Sequence, residues 1–386
     1  MPLLLGSMAW YTARWGSLFV VTYLLARETG SPVLVQVAGA LLFLPLLAGG
    51  FLGGLLTQRR DSKRLVTGSL AALCLVVAVM GAVAALGSVP LWTLFPFILL
   101  VGVGQLVNMT VQRDLLFAVV GPRHVRHALV VDAVQTSTSM ALGNVTAGAL
   151  VEVGGPTGAF GGLLLLHLAG LLCLQRIQRP VAAAPVVGLG PSDRWRATRR
   201  VLRRSAARRL ARALTISMNS CVYGYLSLVP LLVRRFDPSP MTASLLAAGD
   251  GLGQVCAGLV LMTLGVRHPG RLLAGGAVVT SIGILVLSQA TGPTQAFVAL
   301  VLAGIGTSGY AATQTVVALR DAAPEEQAAV LGLISTAIGA MPVGMLSIGV
   351  LAWVLPTETA LALTAGIGLT LVLGCAFVGR ATLRAS

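Results

Sequence analysis

The first chemistry this sequence offers is a carboxylate set inside an apolar run. Asp250 lies nine residues into the run 241–264, about 13 Å along a helix, and Gln254 follows one turn later on the same face. An ionisable group at that depth of a bilayer costs roughly 2.5–3.5 kcal/mol on insertion scales, which marks it as a functional position. Asp250 either binds and releases a proton, or sits solvated in a cavity or paired with an arginine. Arg14, near the middle of the first apolar run, either contacts a polar or anionic ligand or neutralises Asp250 or Asp132. Being permanently charged, it is not a proton carrier. Asp132, five residues into its run, is a second proton-coupling candidate, with a capping or gating role as the alternative. His167 stands among leucines and reads as packing.

Neutral polar residues recur on single helical faces. Gln105, Asn108 and Gln112 share one, Thr307, Tyr310 and Gln314 another, and Asn219 and Tyr223 a third. Amides and tyrosines on an apolar background suit a moderately polar, amphiphilic organic molecule held by a few hydrogen bonds. Singly, each could equally be an interhelical packing bond. Other chemistries find no support. No G-x-x-x-x-G-K-[ST] loop, G-x-S-x-G or H-E-x-x-H is present, so neither ATP hydrolysis nor nucleophilic catalysis is expected. His124 and His127 lack the acids or thiols of a metal site, and the five cysteines read as buried hydrophobes. No cofactor is expected beyond an ion gradient as energy source.

These residues need membrane-spanning helices to hold them. Of 386 residues, 56% are hydrophobic and only 10% charged, against roughly 25% charged in soluble chains. Runs near 3–25, 33–56, 65–87, 91–112, 127–151, 157–175, 212–233, 241–264, 272–290, 293–317, 327–352 and 358–379 give an all-α integral membrane protein of twelve spans. No cleavable signal is expected, since the chain opens directly into its first run. With the N-terminus inside, inner segments hold 23 Lys and Arg and outer segments 3, so both termini are expected in the cytoplasm. The net charge of +15 follows from that bias and does not point to nucleic acid.

Residues 176–211 divide the chain into six-helix halves, 1–175 and 212–386. The divider is a Pro- and Gly-rich linker followed by WRATRRVLRRSAARRL. That stretch reads as an amphipathic helix on the anionic inner leaflet. The halves echo each other. Gly102, Gly104, Gln105, Asn108, Gln112 and Pro122 recur 202 residues later as Gly304, Gly306, Thr307, Tyr310, Gln314 and Pro324. Ser31-Pro32 likewise recurs as Ser239-Pro240. Internal symmetry of this kind belongs to repeat-built transporters.

The segment GGLLTQRRDSKRLV at 53–66 resembles the cytoplasmic loop between spans two and three of the major facilitator superfamily. MPVGMLSIGVLA at 341–352 is similar to a segment of its enterobactin-exporter and macrolide-efflux branch. The loop's usual Asp is Thr57 here, with Asp61 four residues on. The resemblance implies a cytoplasmic gate at Gly53, Arg59, Arg60, Asp61 and Arg64, a monomer, and a cavity lined by spans one, four, seven and ten. It further implies a proton-coupled exporter of a siderophore, macrolide or similar amphiphile in the bacterial inner membrane. The expected substrate-binding residues are Arg14, Gln105, Asn108, Gln112, Asn219, Tyr223, Gln254, Tyr310 and Gln314. An importer or uncoupled facilitator, or a non-transporting scaffold, sensor or enzyme on the same fold, is the alternative.

Overall fold

A computed structural model describes residues 2–47, 62–120, 125–176, 205–322 and 324–381, which are helical apart from short connections. In chain order the helices are α1 (Pro2–Thr29), α2 (Pro32–Leu47), α3 (Ser62–Ala85), α4 (Leu91–Val120) and α5 (Val125–Gln175). There follow α6 (Ala206–Ser217), a π-helical turn Met218–Val222, α7 (Tyr225–Val233), α8 (Pro240–Leu264) and α9 (Pro269–Ser288). The last are α10 (Pro293–Leu319), α11 (Pro324–Ile338), α12 (Met341–Val354) and α13 (Thr357–Val378). Proline sets many of the starts, since its missing N–H costs nothing in a first turn. Ser239 caps α8 in this way, its hydroxyl accepting from Thr242 N ahead of Pro240.

Helix length shows where the chain turns. At 1.5 Å per residue an unbroken 51-residue α5 would run about 76 Å, more than twice the roughly 30 Å of bilayer hydrocarbon. It does not run unbroken. Gly155 takes φ 57°, open to glycine at little cost, and Pro156 starts a new helical run. Among the described residues, nine segments are long and apolar enough to cross a membrane, with α2 a shorter apolar helix beside them. The chain is a multi-pass membrane protein.

Glycines bring the helices together where lipid offers no hydrophobic drive and close backbone approach must supply the attraction. These contacts recur along the chain. A Cβ on Gly102 of α4 would meet Leu42 O of α2, and one on Gly304 of α10 would meet Asp250 O of α8. A Cβ on Gly148 of α5 would strike the Ser244 side chain of α8, and one on Gly349 of α12 would lie 2.9 Å from Gln36 Cβ of α2. The pairs α5–α8 and α2–α12 are thus matching seams.

Candidate functional site

Asp250 is 2% exposed, on the face of α8 turned to α7 and α5. Its Oδ2 accepts from Gln254 Nε2 at 3.2 Å, and Gln254 Oε1 accepts from Ser137 Oγ of α5 at 3.1 Å. Oδ1 makes no well-formed hydrogen bond, although the Tyr225 hydroxyl stands beside the carboxyl as its neighbouring donor. Tyr225 Oη and Trp15 Nε1 likewise make none, three of six such buried atoms among the described residues. All three residues line one interior cavity, together with Asn144, Met140 and Ala247. Its water-accessible volume, about 10 Å³, matches about one water molecule. Each buried polar atom left without a partner costs about 1–3 kcal/mol, so three around one void form a site held ready for a proton, a water or a polar group. No ion pair involving Asp250 occurs among the described residues, which leaves the arginine-paired reading without a partner there.

Arg14 forms a second buried site. It is 4% exposed, and its Nε donates to Gln105 Oε1 of α4 at 2.9 Å. The guanidinium lies 4.3 Å from the centre of the Trp15 ring and 5.4 Å from that of Phe43. These faces favour a cation, yet no carboxylate pairs with Arg14 among the described residues. Trp15 therefore stands between a buried cation on one side and the Asp250 cavity on the other. Asn108 turns its amide back onto Gly104 O at 2.9 Å. The side chain of Gln112 lies outside the described residues.

A third polar patch joins α6, the π turn and α10. Gln314 Nε2 donates to Thr215 Oγ1 at 2.7 Å and to Tyr310 Oη at 2.9 Å. The Tyr310 ring centre lies 6.1 Å from that of Tyr223, and Asn219 Nδ2 donates to Thr215 O at 2.8 Å. Sequence spacing places Asn219 and Tyr223 on one face of a continuous helix. Here Asn219 lies within the π turn and Tyr223 caps it, and both still join this patch. Such turns insert a residue into the helical ladder and occur often at functional positions.

Asp132, the eighth residue of α5, is half-buried, its carbonyl accepting from Thr136 Oγ1. It is not among the residues lining the Asp250 cavity. His167 is fully buried, Nδ1 lying 2.8 Å from Leu163 O, in keeping with packing. Of the gate residues, Gly53, Arg59, Arg60 and Asp61 lie outside the described residues, and Arg64 is exposed in the first turn of α3. Most of the basic linker is also outside them. Of its last residues, from Ser205 on, Ser205, Ala207, Arg208, Leu210 and Ala211 are buried and Arg209 is exposed. Arg208 is 2% exposed, with Nη1 2.9 Å from Glu326 Oε2 and Nη2 donating to Asp321 O at 2.5 Å. A counter-ion close at hand explains the burial.

Trp15, Tyr225, Asn144 and Ser137 complete the Asp250 site and escaped the sequence reading. Trp15 follows Arg14 and Tyr225 follows Gly224, so neither stood out in an aromatic-flecked apolar run. Their roles come from α1, α5, α7 and α8 converging, which no local spacing encodes.

Apolar helices wrapped around the buried Asp250 carboxylate and Arg14 guanidinium, neither with an ionic partner among the described residues, make a membrane transporter the class of protein this geometry defines. The chain belongs to the Major Facilitator Superfamily, whose profile matches residues 3–345. Among solved structures it is similar to the nucleoside transporter NupG, with TM-score 0.74 and 11% identity over 97% of this chain and 98% of that one. It is also similar to a POT family transporter bound to a thioalcohol-conjugated peptide, with TM-score 0.76 and 10% identity over 99% and 96%. A third likeness is to a bacterial homologue of the human lysosomal transporter Spinster, inward-facing and unoccupied. There the TM-score is 0.66, with 15% identity over 98% and 94%. At these identities the likeness is one of fold. No curated protein matches the chain.

Proposed function

We propose that this chain is a proton-coupled exporter, carrying an amphiphilic organic molecule out of the bacterial cytoplasm by alternating access. It would span the inner membrane twelve times, in two six-helix halves with both termini inside. The break at Gly155 and the recurrence of the Gly102–Leu42 contact as Gly304–Asp250 support that count and pairing. The charge bias of 23 inner to 3 outer basic residues supports the orientation.

The observation that carries the reading is the Asp250 cavity. It lies between helices of both halves, with Trp15 and Asn144 on one side and Tyr225 and Asp250 on the other. Loading Asp250 with a proton would remove its charge from this low-dielectric space and let the halves close, while losing the proton would favour hydration and opening. Arg14 with Gln105, and Tyr223, Tyr310, Asn219 and Gln314 opposite, would hold the polar parts of the substrate. The outer end is tied shut in this conformation. Tyr23 Oη donates to Pro238 O at 2.9 Å, Arg234 Nη1 donates to Ala26 O, and Met241 N donates to Glu152 Oε2 at 3.3 Å.

Siderophores, macrolides and related natural products have the required mix of apolar surface and hydrogen-bonding groups. The test is uptake of a panel of siderophores, macrolides and lipophilic dyes into inverted vesicles, with and without an acid interior. Acid-dependent uptake of a panel member supports the reading. Binding with no response to the gradient contradicts it.

A further inference from the structure

One face of α10 joins the Asp250 cavity to the Tyr310–Gln314 patch. A Cβ on Gly304 would lie 3.0 Å from Asp250 Oδ1. Thr307, Tyr310 and Gln314 follow at steps of three, three and four residues, so all four positions share that face. Thr307 stands in the middle. Its hydroxyl lies beside those of both Tyr225 and Tyr223, and Tyr225 in turn stands beside the Asp250 carboxyl. Thr307 Oγ1 also lies 3.3 Å from Thr280 Oγ1 of α9. Thr313 of the same helix donates to Gly309 O at 2.7 Å, whereas Thr307 makes no such bond among the described residues. Its one hydrogen is left to serve Tyr225, Tyr223 or Thr280.

The ends of this network differ. In the patch the hydrogens are pinned by the main chain: Thr215 donates to Ala211 O at 2.6 Å and accepts from Gln314, which also donates to Tyr310. On α9, Thr280 donates to Gly276 O at 3.0 Å, so toward Thr307 it accepts. At the other end stands a carboxyl, which only accepts when ionised and can donate once protonated. Around it, besides Tyr225, are Trp15 of α1, Asn144 of α5, Leu300 of α10 and Gln254 of its own helix, none of which titrates. Hydroxyls bonded head to tail strengthen one another. Two such rows pass through Thr307. With Asp250 ionised, Tyr223 donates to Thr307, Thr307 to Tyr225 and Tyr225 to the carboxylate. With Asp250 protonated, the carboxyl donates to Tyr225, Tyr225 to Thr307, and Thr307 to Thr280. The second row leaves Tyr223 out.

We infer that Thr307 is the junction through which the charge on Asp250 sets the hydrogen bonding of Tyr223, and that the patch takes its ligand by an N–H or O–H donor. A Tyr223 hydroxyl that donates into the row is the stronger acceptor. A ligand donor therefore binds best while Asp250 is ionised and is released on protonation. That is the sense of exchange an exporter driven by inward proton flow requires. The inference rests on the export reading for Asp250 changing its charge during the cycle and for the patch meeting the ligand. Thr307 is a positioning residue, acting through its neighbours and carrying no charge itself.

The test is infrared difference spectroscopy, acid minus neutral, on the full chain in liposomes with isotope-labelled tyrosine. Subtracting Tyr223→Phe isolates the Tyr223 phenol C–O band, which differs between a hydroxyl that donates and one that does not. Subtracting Asp250→Asn isolates the Asp250 carboxyl C=O band. In the wild type the Tyr223 band should shift in step with the appearance of the Asp250 band. In Thr307→Val, which keeps the shape and loses the hydroxyl, the Asp250 band should still appear and the Tyr223 shift should vanish. Thr307→Ser should restore it, which a packing defect would not predict. At neutral pH, phenol should shift the Tyr223 band saturably, and anisole, its methyl ether without the donor, should not. A Tyr223 band that stays put in the wild type while the Asp250 band appears overturns the junction, as does a shift that survives in Thr307→Val. Equal responses to phenol and anisole, or none to phenol, overturn the donor claim. An Asp250 band absent at every pH would sink the proton-coupled reading itself, and the junction with it.

Discussion

Asp250 and Leu42 occupy matching places in two glycine seams. Each offers its main-chain carbonyl to a glycine, Asp250 to Gly304 and Leu42 to Gly102, and each lies ten residues after the Pro that opens its helix. One seam thus keeps an apolar side chain where the other carries a buried acid. Packing is satisfied by leucine at this position, so the carboxylate is there for a different purpose.

Asp250→Leu should therefore fold, with thermal stability in detergent equal to or above that of the wild type. It removes the unpaired Oδ1, a burden of about 1–3 kcal/mol that offsets the loss of the half-buried Gln254 amide's acceptor, while the backbone contact to Gly304 stays. Gradient-driven uptake should fall to background. A clear drop in melting temperature would show that Asp250 holds the bundle together.

Gln105→Leu should destabilise the protein by about 1–3 kcal/mol, because it strips the buried Arg14 of its side-chain acceptor. Gln105→Glu should offset that loss by giving Arg14 an ionic partner, yet weaken binding of anionic panel members. Thermal unfolding and ligand titration on the two variants check both halves of the claim.

Glu326→Gln should cost more than Arg208→Met. The first takes a charged acceptor from a buried guanidinium, a loss of about 1–3 kcal/mol, whereas the second replaces the buried group by an apolar one. Equal losses in a thermal shift assay would contradict the burial of Arg208 described here.

Asp237, in the loop before α8, accepts from Thr242 Oγ1 at 2.5 Å and from Ser239 N at 2.9 Å. These bonds, that of Thr242 first, hold its carboxyl below the usual carboxylate range. A depressed value in the folded state adds stability above the unfolded value, lost as pH falls through the folded one. Asp237→Asn should thus be less stable than wild type at neutral pH, and the difference should vanish in acid below the ordinary carboxylate range. A difference that persists there would show that shape, not charge, is at stake.

Much of this was legible in the chain itself. Apolar runs gave an all-helical membrane protein, the basic segments gave an orientation to propose, and Asp250, Gln254, Arg14 and Gln105 stood out by polarity alone. Two features were not legible. The π turn at Met218–Val222 replaces one helical ladder by another with no Gly or Pro inside it to signal the change. The Trp15–Tyr225–Asp250 cavity depends on α1 and α5 meeting α7 and α8, and aromatic residues in an apolar run carry no mark of which cavity they will line.

The central claim is that Asp250 couples the proton gradient to transport, and uptake into inverted vesicles by wild type and Asp250→Asn tests it most directly. For a panel substrate of the wild type, the variant should lose accumulation driven by an acid interior while keeping downhill exchange between equal pH values. Uphill accumulation that survives in Asp250→Asn would contradict the account.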